Sequence, residues 1–151
     1  MESRMKNPAV TLPEALPHLL ALGGIVRKAG VAQNLLELVN LRASQINGCG
    51  FCVDMHSRDL KKNGETDQRL FSVAAWREAP FFTDAERAAL ALTESATRIS
   101  DQSDPVPDAI WDEVCRFFDE TQRSALVFNI AFINFWNRTN VATRQIAGTG
   151  W

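Results

Sequence analysis

Apolar residues recur three or four positions apart along most of the chain, which places them on one side of successive α-helices. The strict alternation of apolar and polar residues that a half-buried strand needs is missing, and β-branched residues do not cluster. The sequence therefore predicts an all-α fold. Its 151 residues, without an internal repeat, predict a single domain spanning 1–151.

Glycine, asparagine and proline interrupt this pattern and predict where the helices begin and end. A first short helix is expected to begin near Pro13 and to end at Gly23-Gly24. Thr83 and Glu86 have the spacing of a capping box, and Thr121 is expected to cap the last helix. The helices after the first are expected over about 32–46, 49–62, 66–79, 83–99, 108–118 and 121–136.

The charge and the apolar stretches exclude several kinds of partner. Sixteen basic and eighteen acidic residues give a net charge of −2 without a basic tract, so nucleic acid is not an expected partner. The longest apolar stretch, 126–136, is too short to span a bilayer, so no membrane association is expected. The N-terminus has no apolar signal core, which predicts a cytoplasmic location. Three cysteines, an odd number, argue against a structural disulfide framework.

The strongest chemical signal is Cys49-Gly-Phe-Cys52, followed four residues later by His56. On a helix these three side chains share one face. Asn47-Gly48 precedes them, so the cysteines lie at a helix start, where unpaired N–H groups and the helix dipole favour an anion. Such a position can lower a thiol pKa from about 8.5 into the range of roughly 3.5–7.5. His56 can accept the proton of Cys52 or pair with its thiolate, so the motif predicts thiol redox chemistry.

A fourth candidate, Glu37, lies twelve residues before Cys49 on the preceding helix. If the two helices fold back through Asn47-Gly48, Glu37 can reach His56 or a water beside the cysteines. A carboxylate in that place would orient the imidazole and raise its basicity. The candidate catalytic residues are therefore Cys52, Cys49, His56 and Glu37.

The same residues allow simpler interpretations. The cysteines and His56 can be buried structural residues, and Glu37 can be an ordinary solvated helix residue. All four can also be zinc ligands, although zinc-binding cysteine pairs usually lie on a turn, so a metal-free site is expected. A thioredoxin-like site is set aside because no strand pattern precedes the motif. Of the remaining candidates, Cys115 is expected in the core, and His18, Asp54 and Asp59 at the surface.

At these residues the chain resembles the AhpD-like alkylhydroperoxidases of the carboxymuconolactone decarboxylase superfamily. The specific element is the spacing of Glu37, the Cys-x-x-Cys pair and His56, within ELVNLRASQINGCGFCVDMH. Weaker similarity extends the match over about residues 30–140, at Gly64-Glu65, Trp76-Arg77-Glu78, 83–93 and 133–138.

The resemblance implies an all-helical homo-oligomer, often a trimer or hexamer, with thiol peroxidase activity and no haem, flavin, metal or other cofactor. Cys52 would attack a small alkyl hydroperoxide and become a sulfenic acid, and Cys49 would resolve it as a disulfide. Glu37 and His56 would relay the proton. The electron donor would be a thiol, in some members a dihydrolipoyl protein.

The chain also departs from its relatives. The best-known members have a histidine inside the Cys-x-x-Cys where this chain has Phe51, which implies slow turnover. The decarboxylase branch generally lacks the cysteine pair, so lactone decarboxylation is not expected. The alternative from another class is an oligomeric helical binding protein whose cysteines sense oxidation without turnover.

Overall fold

The computed structural model describes residues 1–149, which form α-helices and two short 3₁₀ helices. No β-strand occurs among these residues, so the all-α prediction is confirmed for them. None of their helices combines the length and the apolar character needed to cross a bilayer. The helices are α1 (Pro8–Thr11), α2 (Ala15–Arg27), α3 (Gln33–Ile46), α4 (Gly50–Lys62), α5 (Asp67–Ser72), α6 (Asp84–Thr97), α7 (Asp108–Phe117) and α8 (Glu120–Thr143), with 3₁₀ turns at Val73–Glu78 and Ile99–Asp101.

Helix α3 lies at the centre and packs against α4, α6 and α8. Its Leu36 and Val39 belong to an apolar core shared with α2, α6, α7 and α8. Its Leu38 and Leu41 belong to a second core with α4, α6 and the first 3₁₀ turn. Because apolar side chains cover α3 on both sides, two of its polar residues, Glu37 and Ser44, are also buried. Glu37 is only 5% exposed.

Helix α2 differs from the predicted first helix. It begins at Ala15, after the separate single-turn helix α1, and continues through Gly23-Gly24 to Arg27, so the predicted end at the glycines is wrong. Gly23 lies against α8, where a Cβ atom on it would be 3.4 Å from the ring of Phe132, an ordinary packing distance. The chain turns instead at Gly30, where φ is +85° and glycine is favoured.

Helix α8 begins earlier and ends later than the sequence pattern predicted. Asp119, rather than Thr121, caps it, and forms a capping box with Gln122. The helix continues beyond Trp136 to Thr143. The apolar pattern stops at Trp136 because the inward-facing residues of the last two turns are polar, although they are buried: Asn137, Asn140 and Thr143.

The segment predicted as one helix over 66–79 is divided into α5 and the 3₁₀ segment Val73–Glu78, and inside the latter the backbone leaves helical geometry at Ala75. The 3₁₀ turn places Val73 and Trp76, three residues apart, on the same side and into the second core. The predicted capping box of Thr83 and Glu86 is confirmed at the start of α6.

Candidate active site

The cysteine pair lies at the start of α4, as predicted. Cys49 is the N-cap residue, and its Sγ accepts a hydrogen bond from the backbone N–H of Cys52 at 3.3 Å. The two sulfurs form a disulfide, and both residues are buried. Gly48, with φ at +67°, makes the reversal between α3 and α4. Cys115 is a free thiol and only half-buried, so its predicted place in the core is wrong.

Glu37 and His56 meet across the interface of α3 and α4. Glu37 Oε2 lies 2.7 Å from His56 Nδ1, and both side chains are buried. The second oxygen of Glu37 accepts a hydrogen bond of 2.9 Å from Gln33 Nε2. The expected contact between Glu37 and His56 is therefore present, and the interpretation of Glu37 as a solvated residue is wrong.

Two opposing effects act on the Glu37 carboxyl group. Burial is the largest single effect and raises its pKa. The hydrogen bond and charge of His56, with smaller contributions from Arg27 and Asn40, outweigh burial and hold the pKa below the ordinary 4.5. An ionised carboxylate can only accept hydrogen bonds, so we assign the proton of the contact to Nδ1 of His56.

This assignment leaves Nε2 of His56 as the nitrogen with the unshared electron pair when the ring is neutral. That atom is buried and has no hydrogen-bond partner among the described residues. Buried polar atoms are nearly always paired, so an unpaired one needs an explanation. Nε2 is therefore the candidate atom for proton exchange at this site.

A cavity of about 400 Å³ brings the candidate residues together. Of the two cysteines, Cys52 lines it, together with Glu37 and His56. Arg27 is the other charged residue in its lining. The rest of the wall is mostly apolar and comes chiefly from α2 and α8: Leu16, Leu19, Leu20, Gly23, Phe132, Ile133 and Trp136. The cavity can hold an organic molecule of moderate size next to the Cys52 sulfur.

Two site residues were missed by reasoning from sequence. Asn140 Nδ2 donates a hydrogen bond to Cys52 Sγ at 3.4 Å, and Asn7 Nδ2 donates to Asn140 Oδ1 at 2.9 Å. Asn140 was missed because the last helix was expected to end at Trp136. A usable signal was present, since asparagines recur every three residues at 134, 137 and 140, close to helical spacing.

One group of side chains has the arrangement of a partial metal site. Glu37, His56 and Asp59 each offer a ligand atom, and these atoms lie within 4.8 Å of one another. The set differs from the four zinc ligands considered from sequence, because the two sulfurs are bonded to each other.

Asp59 and His18 are exposed, as predicted, whereas Asp54 is half-buried. Asp54 pairs with Arg58 and accepts from the backbone N–H of Gly148.

Comparison with known proteins assigns the class of this protein. Residues 13–95 match the model of the Carboxymuconolactone decarboxylase family, and the chain belongs to this family. Within it the protein is AhpD-like, as the resemblance around the cysteine motif indicated.

Three relatives place the chain more closely. The uncharacterized protein YdfG of Bacillus subtilis is 39% identical over 130 residues, which are 86% of this chain and 87% of YdfG. Alkyl hydroperoxide reductase AhpD of Streptomyces coelicolor is 42% identical over 66 residues, which are 41% of this chain and 37% of that protein. The crystal structure of an Agrobacterium tumefaciens protein of unknown function, described as a candidate antioxidant defence protein AhpD, has a TM-score of 0.90 and 33% identity. The match covers 99% of this chain and 100% of that chain.

Proposed function

We propose that the protein is a thiol peroxidase that reduces alkyl hydroperoxides through the Cys49–Cys52 pair. The observation that carries the proposal is the unpartnered, buried Nε2 of His56. The other nitrogen of this imidazole ring, Nδ1, contacts Glu37, and His56 lines the same cavity as Cys52. A nucleophile, a base and an orienting carboxylate around one cavity form the arrangement that covalent catalysis needs.

In the first half of the reaction the Cys52 thiol gives its proton to Nε2 of His56, and Glu37 stabilises the resulting imidazolium. The thiolate attacks one oxygen of the hydroperoxide, the O–O bond breaks, and Cys52 becomes a sulfenic acid. The departing alkoxide takes a proton from the imidazolium and leaves as an alcohol. The hydroperoxide has then been reduced by two electrons, and the sulfur of Cys52 has been oxidised by two.

In the second half Cys49 attacks the sulfur of the Cys52 sulfenic acid. The S–O bond breaks, water leaves, and the Cys49–Cys52 disulfide forms, which is the state of the structure. A thiol donor of the dihydrolipoyl type then supplies two electrons and two protons, which regenerates both thiols and oxidises the donor to its own disulfide. A cytoplasmic location, where such donors are kept reduced, suits this cycle.

The test is a turnover assay with cumene hydroperoxide and, in parallel reactions, dithiothreitol or dihydrolipoamide as donor. We expect donor-dependent peroxide consumption without added cofactor, and slow turnover, because Phe51 stands where the best-known relatives have another histidine. Peptide mapping after one equivalent of peroxide should find the Cys49–Cys52 disulfide and a reduced Cys115. Disulfide formation without donor-dependent turnover would favour the sensing protein instead.

We further propose that the protein is a homo-oligomer, a trimer or hexamer, with an interface on the outer face of α8. Phe128 and Phe135 are seven residues apart, which places them on one face, and they are 57% and 45% exposed. Exposed apolar side chains grouped in this way are commonly covered by another subunit.

Light scattering is expected to give a multiple of 16.8 kDa, and Phe135→Asp to shift the protein towards the monomer. Phe71→Asp is the matched control, because Phe71 is 82% exposed but lies on α5. A wild-type monomer at micromolar concentration contradicts the proposal.

The protein is expected to contain no stoichiometric zinc when it is purified without added metal. Glu37 is already engaged by His56 and Gln33, and Asp59 is exposed, so the three side chains offer an incomplete tetrahedral site. Elemental analysis after mild chelation is the measurement. Near-stoichiometric zinc that resists chelation would instead support the metal-site interpretation.

A further inference from the structure

We infer that Asn140 is a further catalytic residue, which stabilises the anionic sulfur of Cys52 by an amide hydrogen bond, and that Asn7 is the positioning residue that fixes its direction. The inference rests on the proposed function, in which Cys52 is the attacking thiolate. It adds a second source of thiolate stabilisation, from α8 and the N-terminal segment, to the Glu37–His56 pair of α3 and α4.

The hydrogen bonds determine which way both amide groups point. Asn7 Oδ1 accepts from the backbone N–H of Ala9 at 2.9 Å, and a backbone N–H can only donate, so the other end of Asn7 is its NH₂ group. That NH₂ group lies 2.9 Å from Asn140, which must therefore present its oxygen. The remaining end of Asn140, its own NH₂ group, faces Cys52 Sγ at 3.4 Å.

Burial makes this donor important. Cys52 and Asn140 are 1% and 2% exposed, so bulk water contributes little to solvating a thiolate there. A thiolate is a much stronger hydrogen-bond acceptor than a thiol, so the amide stabilises the anion more than the neutral group. The backbone N–H of Cys52 contacts the other sulfur, that of Cys49. Each sulfur of the pair thus has its own donor.

The two asparagines come from opposite ends of the chain and lie outside the matched family region 13–95. Contacts between those ends hold the pair in place. The backbone N–H of Arg4 donates to the carbonyl of Thr143 at 2.9 Å, and its guanidinium donates to the carbonyl of Ala142 at 2.8 Å. The N-terminal segment is thereby attached to the last turn of α8, next to the sulfur that Asn140 contacts.

The test measures the pKa of the Cys52 thiol from the pH dependence of its alkylation by iodoacetamide. The protein carries Cys49→Ser and Cys115→Ser, so that Cys52 is its one cysteine. Asn140→Ala is expected to raise the pKa by about one unit or more, which slows alkylation near neutral pH by about tenfold. The charged groups that line the cavity, Arg27, Glu37 and His56, are the same in every protein compared.

Asn7→Ser gives a second variant with less risk to folding. Serine is also a good N-cap, so α1 keeps its start, but the amide that directs Asn140 is lost. We expect a pKa rise in the same direction and smaller than that of Asn140→Ala. Thr143→Ala is the matched control. Thr143 is buried at the same end of α8, where its hydroxyl donates to the carbonyls of Thr139 and Asn140 and accepts from Gln145 Nε2. None of these partners is Cys52 or an asparagine side chain, so loss of the hydroxyl should leave the thiol pKa unchanged.

Alkylation does not depend on peroxide turnover, so the two proposals fail separately. An unchanged pKa in both asparagine variants, in a protein that turns over peroxide, overturns the role of Asn140 alone. An equal rise in Thr143→Ala also overturns it, because general loosening of α8 would then explain the shift. A rise confined to the asparagine variants, in a protein without peroxidase turnover, supports the hydrogen bond and overturns the proposed function.

Discussion

Replacing Cys52 with serine is expected to lower donor-dependent peroxide turnover by at least about 10³-fold, because it removes the sulfur that we propose attacks the peroxide. Cys52 is the cysteine of the pair that lines the cavity, and a hydroxyl group near neutral pH is a far weaker nucleophile than a thiolate. Serine is slightly smaller than cysteine, so the fold should be kept. The measurement is steady-state consumption of cumene hydroperoxide with a saturating dithiol donor.

Cys49→Ser separates the two roles within the pair. Without an added thiol donor, this variant should consume about one equivalent of peroxide and then accumulate the Cys52 sulfenic acid, since no resolving thiol remains, and mass spectrometry after dimedone trapping should detect it. Cys115→Ser is the control and should turn over like the wild type, because Cys115 lies on α7 and remains outside the disulfide. Sulfenic acid found on Cys49 in the Cys52→Ser protein would instead make Cys49 the attacking cysteine and Cys52 the resolving one.

Replacing Glu37 with glutamine is expected to slow turnover by about 10²-fold, towards the low end of the range for positioned acid–base groups. Glutamine has almost the same shape and can still accept a hydrogen bond from His56 Nδ1, so packing should hardly change. The charge that supports the imidazolium disappears. The expected loss is at the low end because Phe51 replaces one member of the relay found in the best-known relatives.

The pH dependence of this loss follows from the state of the carboxyl group. The pKa of Glu37 is held below 4.5, so the group stays ionised in the wild type at pH 6 to 8. The ratio of the wild-type single-turnover rate to the Glu37→Gln rate should therefore show no change caused by titration of Glu37 between pH 6 and pH 8. Alkylation of the attacking thiol near neutral pH should also slow, since the base paired with it is weaker.

Further variants complete this prediction. His56→Ala should lose at least as much activity as Glu37→Gln, and the double variant little more than His56→Ala, because groups that act as a unit are not additive. Asp54→Asn is the control, since Asp54 is also a carboxylate and belongs to α4 itself, but pairs with Arg58 and lies outside the cavity lining. A Glu37→Gln rate within about twofold of wild type would remove Glu37 from the relay, because a contribution of the expected size could not be hidden in so small a change.

The features that were predictable from sequence are interactions between residues within one turn of a helix. The Thr83–Glu86 capping box joins residues three apart, and the face shared by Cys52, His56 and Leu60 follows from helical periodicity. The ends of α2 and α8 were not predictable in this way. Whether a glycine ends a helix or lies inside one depends on the side chains that pack against it. At Gly23 the neighbouring side chain is Phe132.

The sequence by itself determined the helical fold and the cysteine pair at a helix start with a histidine one turn further on, because helical spacing and capping act over three or four residues. It allowed Glu37 to reach His56, but the burial of that pair depends on the two apolar cores around α3. The tertiary structure alone decided that α2 and α8 close a cavity over Cys52, and that Asn140 contacts its sulfur. That contact joins residues 88 positions apart, and it forms only when the packing of several helices brings α4 and the end of α8 together.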